Sequence, residues 1–320
     1  MTISFAHHNH GKGKVRVVKV FREEADLKGK FGEINEDVRH YNVQTILYGP
    51  VEESYTKGNN QKVISTDTQK NTVYCVARDN KFKSSEHFAV LLSQHFLKQY
   101  PDSVVHEAHI TIEEDIWARV EVGGHKHGHA FKKTGPCQKK VVATCSRNAD
   151  GGTALTLKCG VQNFTLMKTT NSSWCDFLRD EYTTLPDARD RLLGSSMQVE
   201  WEYSKEFVKG GLTTEFDWEE MVQRIEDSLT FTFCGPPGTG VASSGVQQTL
   251  HQMCYNALND IEGLDSMWIS APNLHNIPFD FSKLGRVGHG DVYVATTEPH
   301  GLIEVKLVKR CTPQMIKSAL

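Results

Sequence analysis

Apolar and polar residues alternate strictly in Met197-Gln198-Val199-Glu200-Trp201-Glu202-Tyr203, the pattern of a half-buried antiparallel strand with one face on a core. The same alternation runs through residues 38–47, 110–120, 155–161, 291–295 and 302–307, enough strands to predict a large sheet. Between these stretches the pattern changes to that of amphipathic helices. Ser65-Thr66-Asp67 is a capping-type cluster that predicts a helix over 68–78. Ser84 or Ser85 starts a second, with Phe88, Leu91, Leu92 and Phe96 on one face and Pro101 just past its end. In the second half, Trp218, Met221, Val222, Ile225 and Leu229 mark one helix, and Val246, Leu250, Met253 and Ala257 mark its partner. Strand, strand, helix, helix, strand, strand thus occurs twice without obvious sequence identity. That order predicts an α+β protein with helix pairs on one face of antiparallel sheet. The turn cluster Asn148-Ala149-Asp150-Gly151-Gly152 places the boundary between domains 1–147 and 148–320.

Composition adds mostly exclusions. A chain of 320 residues, 38% hydrophobic and 23% charged with a net charge of -3, matches an ordinary soluble globular protein, and bulk charge points to no nucleic-acid or membrane partner. No apolar run approaches the roughly 20 residues of a membrane span. Residues 1–10 lack the basic-then-apolar layout of a secretory signal. The eight cysteines form no C-x-x-C pair and read as reduced thiols, several of them core filler, in an intracellular compartment.

Three motifs invite chemistry and are better read as structure. Gly235-Pro236-Pro237-Gly238-Thr239-Gly240 begins like a phosphate-binding loop, but Val241 and Ala242 stand where its Lys and Ser/Thr belong, so it predicts a loop between helices. His7-His8-Asn9-His10 reads as a tail. His125, His127 and His129 alternate along a strand, but no cysteine or carboxylate sits at ligand-like spacing, so hydrogen bonding is preferred to metal binding. In contrast, the polar residues of Lys168-Thr169-Thr170-Asn171-Ser172-Ser173-Trp174-Cys175-Asp176-Phe177-Leu178-Arg179-Asp180-Glu181-Tyr182-Thr183-Thr184-Leu185 fit neither a helix face nor a strand alternation, as expected of a segment that positions side chains.

That segment, together with Ser65-Thr66-Asp67-Thr68-Gln69-Lys70-Asn71-Thr72 upstream and Pro272-Asn273-Leu274-His275 downstream, resembles the urate oxidase (uricase) family, and the resemblance runs from about Gly11 to the C-terminus. It implies the tunnelling fold (T-fold), in which the sheets of identical subunits join into barrels. It also implies a homotetramer with active sites at subunit interfaces, and oxidation of urate by dioxygen without cofactor or metal. Carried over position by position, it makes Lys12, Thr66 and His275 a proton relay, with Lys14 a second candidate for the lysine. Thr66, Asp67, Arg191, Val246 and Gln247 would hold the edges of urate. Trp174 would stack beneath the ring, where phenylalanine is usual, and Asn273 would face dioxygen or water above it. The stretch His127-Gly128-His129-Ala130-Phe131 is similar to the family's H-P-H-S-F, with glycine and alanine replacing proline and serine. Ser318-Ala319-Leu320 resembles a degraded peroxisomal S-K-L address. Two other functions stay open on the residues: a pterin-type enzyme of the same fold, and a purine-binding protein that has lost the relay.

Overall fold

The computed structural model describes residues 3–22, 35–211 and 216–310. Cys311 and the tripeptide Ser318-Ala319-Leu320 lie outside them. In chain order the elements are β1 (His10–Phe21), β2 (Asp37–Tyr48), α1 (Glu52–Lys57), α2 (Thr66–Asp79), α3 (Ser85–Gln99), β3 (Glu107–Val122), β4 (His125–Arg147), β5 (Thr153–Lys168), β6 (Leu193–Tyr203), α4 (Lys205–Gly211), α5 (Trp218–Cys234), α6 (Val246–Asp260), β7 (Leu264–Pro272), β8 (His275–Pro278), β9 (Tyr293–Thr296) and β10 (Leu302–Val308). The chain forms two compact units, Met1–Val161 with Glu202–Trp218 and Gln162–Trp201 with Glu219–Leu320, the divisions falling within β5, near the end of β6 and at the start of α5. No described helix is long and apolar enough to cross a membrane.

In the first unit β1, β2, β3 and β4 are antiparallel neighbours. Tyr41, Val43, Thr45 and Leu47 of β2 and Ala108, Ile110 and Ile112 of β3 are buried, so alternate residues of both strands face inward. The helices cover that inward face. α2 packs on β1, and α3 on β3 and β4, bringing Val73, Phe88, Leu92 and Phe96 onto the sheet. Both helices start where their caps place them: Ser65 Oγ accepts from the Thr68 amide at 3.0 Å and Ser84 Oγ from the His87 amide at 3.2 Å. In the second unit β6, β7 and β10 are neighbours, with α6 packed on β7 and β10, and β8 pairs with β9. Met197, Val199, Met253, Met267 and Ile269 are buried there.

Several elements are absent from the reading of the sequence, for identifiable reasons. In the outer half of β4 only the alternation of His125, His127 and His129 signals a strand, because the rest of it is charged and exposed. β7 is buried on both sides and reads as a short apolar run, which periodicity alone does not assign to a strand. α2 begins two residues before and ends one residue after the predicted 68–78, and the β9 strand starts at Tyr293 rather than at 291. Gly235-Pro236-Pro237-Gly238-Thr239-Gly240 is the loop from α5 to α6, as expected. Among the described cysteines all are free thiols; Cys145, Cys159 and Cys254 are buried, and burial pushes Cys254 up to about 12.

The inward face of the first unit also carries charge. Glu86, in the first turn of α3, is fully buried and Glu114 of β3 nearly so; Arg39 pairs with Glu114 at 3.3 Å. Burial raises the Glu86 carboxyl above its ordinary value, opposed by the charge of Lys139, which sits across from Glu114 on β4. A carboxyl raised in the folded state contributes stability that is present below its unfolded value and is lost as pH rises through its folded value. Thermal unfolding across pH should therefore show wild type losing stability relative to Glu86→Gln as pH rises through and above the ordinary carboxylate range. Parallel curves for the two proteins would contradict this.

Candidate functional site

A β-bulge determines where Lys12 points. Lys12 lies opposite Thr45 and Val15 opposite Val43, so Gly13 and Lys14 together oppose the single residue Gln44. Lys14 takes the extra turn at φ 57°, in the left-handed region. Directly opposed residues share a face, and Val43 and Thr45 both face inward. Lys12 therefore lies on the same inward face as Val15, although the odd spacing between them would put it on the opposite face of an unbroken strand. Gly11 permits the close pairing, since a Cβ there would stand 2.1 Å from the Thr45 carbonyl oxygen. Lys14 is exposed.

Below Lys12, α2 is pinned to the sheet by a buried hydrogen bond: Thr45 Oγ1 donates to Gln69 Oε1 at 2.7 Å, while Gln69 Nε2 donates to the Ile64 carbonyl. The first intrahelical bond runs from the Gln69 amide to the Ser65 carbonyl, so the Thr66 and Asp67 amides precede the ladder at the positive end of the helix. Both side chains are exposed. Asp67 accepts from Lys70 at 2.5 Å and Asn71 at 3.0 Å. Lys70 first, then Asn71 and the charge of Lys12, hold its carboxyl below the ordinary value. The first unit thus gathers Lys12, Thr66 and Asp67 around the start of α2.

The second unit gathers Trp174, Arg191, Val246, Gln247, Asn273 and His275. The chain from 169 to 192 forms no strand and is held by isolated bridges. Trp174 exchanges both backbone hydrogen bonds with Ala188 at 2.7 and 2.9 Å, and Ser172 runs parallel to Ser243. The Arg191 amide donates to the Ser172 carbonyl at 2.9 Å. One short stretch therefore fixes Arg191, Trp174 and the approach to α6. That approach is tightened by Ser243 and Thr249, whose hydroxyls lie 2.6 Å apart. Gly245 caps α6 with no side chain, leaving Val246 buried and Gln247 exposed in the first turn. Trp174 lies against that cap, since a Cβ on Gly245 would be 2.9 Å from Cζ3 of the indole and 3.4 Å from Gln247 Oε1.

The Arg191 guanidinium is half-buried, and its Nε is buried without a hydrogen-bond partner among the described residues. Burial lowers its pKa, though a guanidinium stays charged across all working pH. The adjacent carboxylate is committed elsewhere. Asp190 accepts from the Thr170 hydroxyl at 2.7 Å and the Ser172 amide at 3.4 Å, and these bonds hold it below its ordinary value. An uncompensated, partly dehydrated cation with a free donor is a receptor for the edge of an anion. Asn273 and His275 follow β7. The Asn273 amide donates to the Gly301 carbonyl and the Leu274 amide to the Gly194 carbonyl, tying the turn to the start of β6 just beyond Arg191. Asn273 Nδ2 and His275 Nδ1 are 3.5 Å apart, both half-buried.

Antiparallel sheet with helices packed on it, in each of the two units, is the architecture of the T-fold, which makes the chain a T-fold protein whose half-buried arginine shares a short segment with Trp174 and the approach to α6. The sequence model of the Uricase family matches residues 8–144 and 157–304. A uricase of Arabidopsis thaliana is 35% identical over 303 residues, spanning 93% of this chain and 94% of that protein, and a uricase of Oryctolagus cuniculus is 30% identical over 301 residues, spanning 94% and 93%. The crystal structure of the uricase from Arthrobacter globiformis is similar with a TM-score of 0.82 at 28% identity, covering 98% of this chain and 97% of that one. The chain belongs to the uricase family.

Gly245, Gln69 and the bulge escaped the reading of the sequence. Gly245 had one local signal, a glycine directly ahead of an apolar helix start; Thr45, which holds Gln69, and the β2 residues opposite the bulge are distant in the chain and left none. Gly245→Ala should force the Trp174 ring aside and cost about 1–3 kcal/mol, as overpacking does. The same change in a Trp174→Phe background should cost less, because phenylalanine lacks the second ring that meets the new methyl. Denaturant unfolding of the four proteins of this cycle decides it, and strict additivity would rule the contact out.

Proposed function

We propose that this chain converts urate, dioxygen and water into 5-hydroxyisourate and hydrogen peroxide without a cofactor. The observation that carries the reading is the buried, partnerless Nε of Arg191, set in a segment that also places Trp174 against the N-terminus of α6. A flat anion offers that guanidinium an oxygen and a ring nitrogen along one edge, matched to its planar fork of donors. The opposite edge meets the Val246 amide and the Gln247 side chain, with Trp174 beneath and Asn273 above. A further-deprotonated urate is electron-rich enough to reduce dioxygen directly. The protein then contributes base strength, a fixed pose and a dry pocket. Lys12, Thr66 and His275 move the protons, and Thr66 and Asp67 help hold the ring.

Lys12, Thr66 and Asp67 belong to the first unit and the other site residues to the second. In our reading the active site is completed between subunits of a homotetramer, with Thr66 and Asp67 contributed by a different chain from Arg191 and Gln247. The tandem repeat, 1–147 and 148–320, supplies the two halves that adjoining subunits present to each other in barrels. Peroxisomal residence belongs to the same proposal and rests on the family resemblance.

Chelator-treated protein in air should remove the urate absorbance band with a matching yield of peroxide. Arg191→Lys should lower kcat/KM by about 10- to 100-fold, the loss expected for a charge-assisted hydrogen bond of about 1.5–3 kcal/mol. Intact assemblies that leave the band unchanged would turn the reading toward a purine-binding protein. Dilution followed by activity and circular dichroism should show turnover disappearing before the fold does; an active monomer would refute the shared site. Lys14→Gly should preserve turnover and Lys12→Met should not.

A further inference from the structure

We propose that Phe177 and Arg179 are positioning residues for Trp174, forming with it a stacked column that sets the tilt of the surface on which a flat substrate lies; this deepens the urate-binding reading of the same half-site and rests on it. The Trp174 and Phe177 rings are offset and nearly parallel, with centroids 5.8 Å apart and planes 10° from each other. On Phe177 sits the Arg179 guanidinium, its central carbon 4.4 Å from the ring centroid. Offset stacking and a cation over a ring face are both arrangements that an aromatic quadrupole favours.

The column is anchored at both ends by the same short stretch of backbone. Arg179 donates from Nη2 to Asp187 Oδ1 at 2.8 Å and from Nη1 to the Leu185 carbonyl at 3.0 Å. Asp187 Oδ1 also accepts from the Asp176 amide at 3.3 Å, and the next residue, Ala188, is the one bridged to Trp174. Asp176 takes a left-handed backbone, φ 57°, which bends the chain so that residue 177 returns over residue 174. A non-glycine residue held there marks a conformation that its surroundings enforce. Leu178, between the two column residues, is 95% exposed. Covering apolar surface from water would have favoured burying Leu178 as well, so the arrangement is selective for the ring and the guanidinium. At the other end the indole meets the Gly245 cap. The ring is thus bounded by Phe177 and by the backbone of α6, and its tilt follows from both.

Stacking is felt equally by bound substrate and transition state, so loosening the column should raise KM and leave kcat nearly unchanged. Phe177→Leu and Arg179→Gln should each raise KM for urate about 5- to 10-fold with kcat within about 2-fold, whereas Phe177→Tyr, which keeps the ring, should stay within about 2-fold of wild type in both. A second readout needs no substrate: the fluorescence anisotropy decay of Trp174, taken as the difference between each protein and its Trp174→Phe counterpart. Faster depolarisation in Phe177→Leu and Arg179→Gln, restored in Phe177→Tyr, supports the column. Unchanged anisotropy and KM in Phe177→Leu, or equal losses in the leucine and tyrosine variants, overturns it. If the wild type does not consume urate, the functional reading fails alone, and the anisotropy series still decides whether the column orders the ring.

Discussion

Side chains alternate across a strand, and every functional position on the sheet of the first unit depends on that rule and on the one place where it is interrupted. Without the bulge at Gly13 and Lys14, the burial of Val15 and Val17 would send Lys12 to the face away from α2. The extra residue reverses the phase, so the lysine shares its face with Thr45, which in turn holds Gln69 and the start of α2. The interruption leaves Lys14 in a left-handed conformation at the cost of some strain. The strained residue is thus not Lys12 itself but its neighbour in the bulge, whose conformation sets the direction of the lysine before it.

The second unit meets a different constraint. Its site segment is neither helix nor strand, so its backbone groups need partners one at a time. They find them in each other and in the loop before α6: Trp174 with Ala188, Ser172 with Ser243, and Arg191 with Ser172. Three site features are therefore coupled through a few peptide groups. Side-chain polarity is allotted in the same economy. Asp190 is held by Thr170 and by neighbouring amides, which leaves Arg191 without a carboxylate among the described residues and its charge available to a ligand. Had Asp190 turned to its neighbour, the pair would have been neutral and the preference for an anion weakened.

Charge on the inward face of the first unit shows the opposite treatment. Glu86, Glu114, Arg39 and Lys139 are brought together between α3 and the sheet, where burial opposes ionisation and only mutual compensation makes them tolerable. No residue of the proposed relay belongs to that cluster. The cavity of about 500 Å³ lined by Val76, His95, Lys98 and Arg147 also contains none of them. Arg147 there is consumed in tying the end of α3 to the sheet, through the carbonyls of Leu97, Tyr100 and Val105.

What the sequence determined by itself is whatever depends on neighbours along the chain. Helix starts at Ser65 and Ser84, the inward faces of β2, β3 and β6, and the irregular character of residues 168–185 follow from caps and periodicity, which are local. Lys12, Thr66, Asp67, Trp174, Arg191, Val246, Gln247, Asn273 and His275 were nameable because they fall within recognisable stretches of a known family, not because their chemistry was visible in isolation. Only the tertiary structure decided which way Lys12 faces, that Gly245 must lack a side chain beneath Trp174, that Nε of Arg191 is buried without a partner among the described residues, and that Arg179 rests on Phe177. Each of these depends on a strand, bridge or loop brought alongside by folding, and a pairing partner distant in the chain leaves no periodic trace in the residues it constrains.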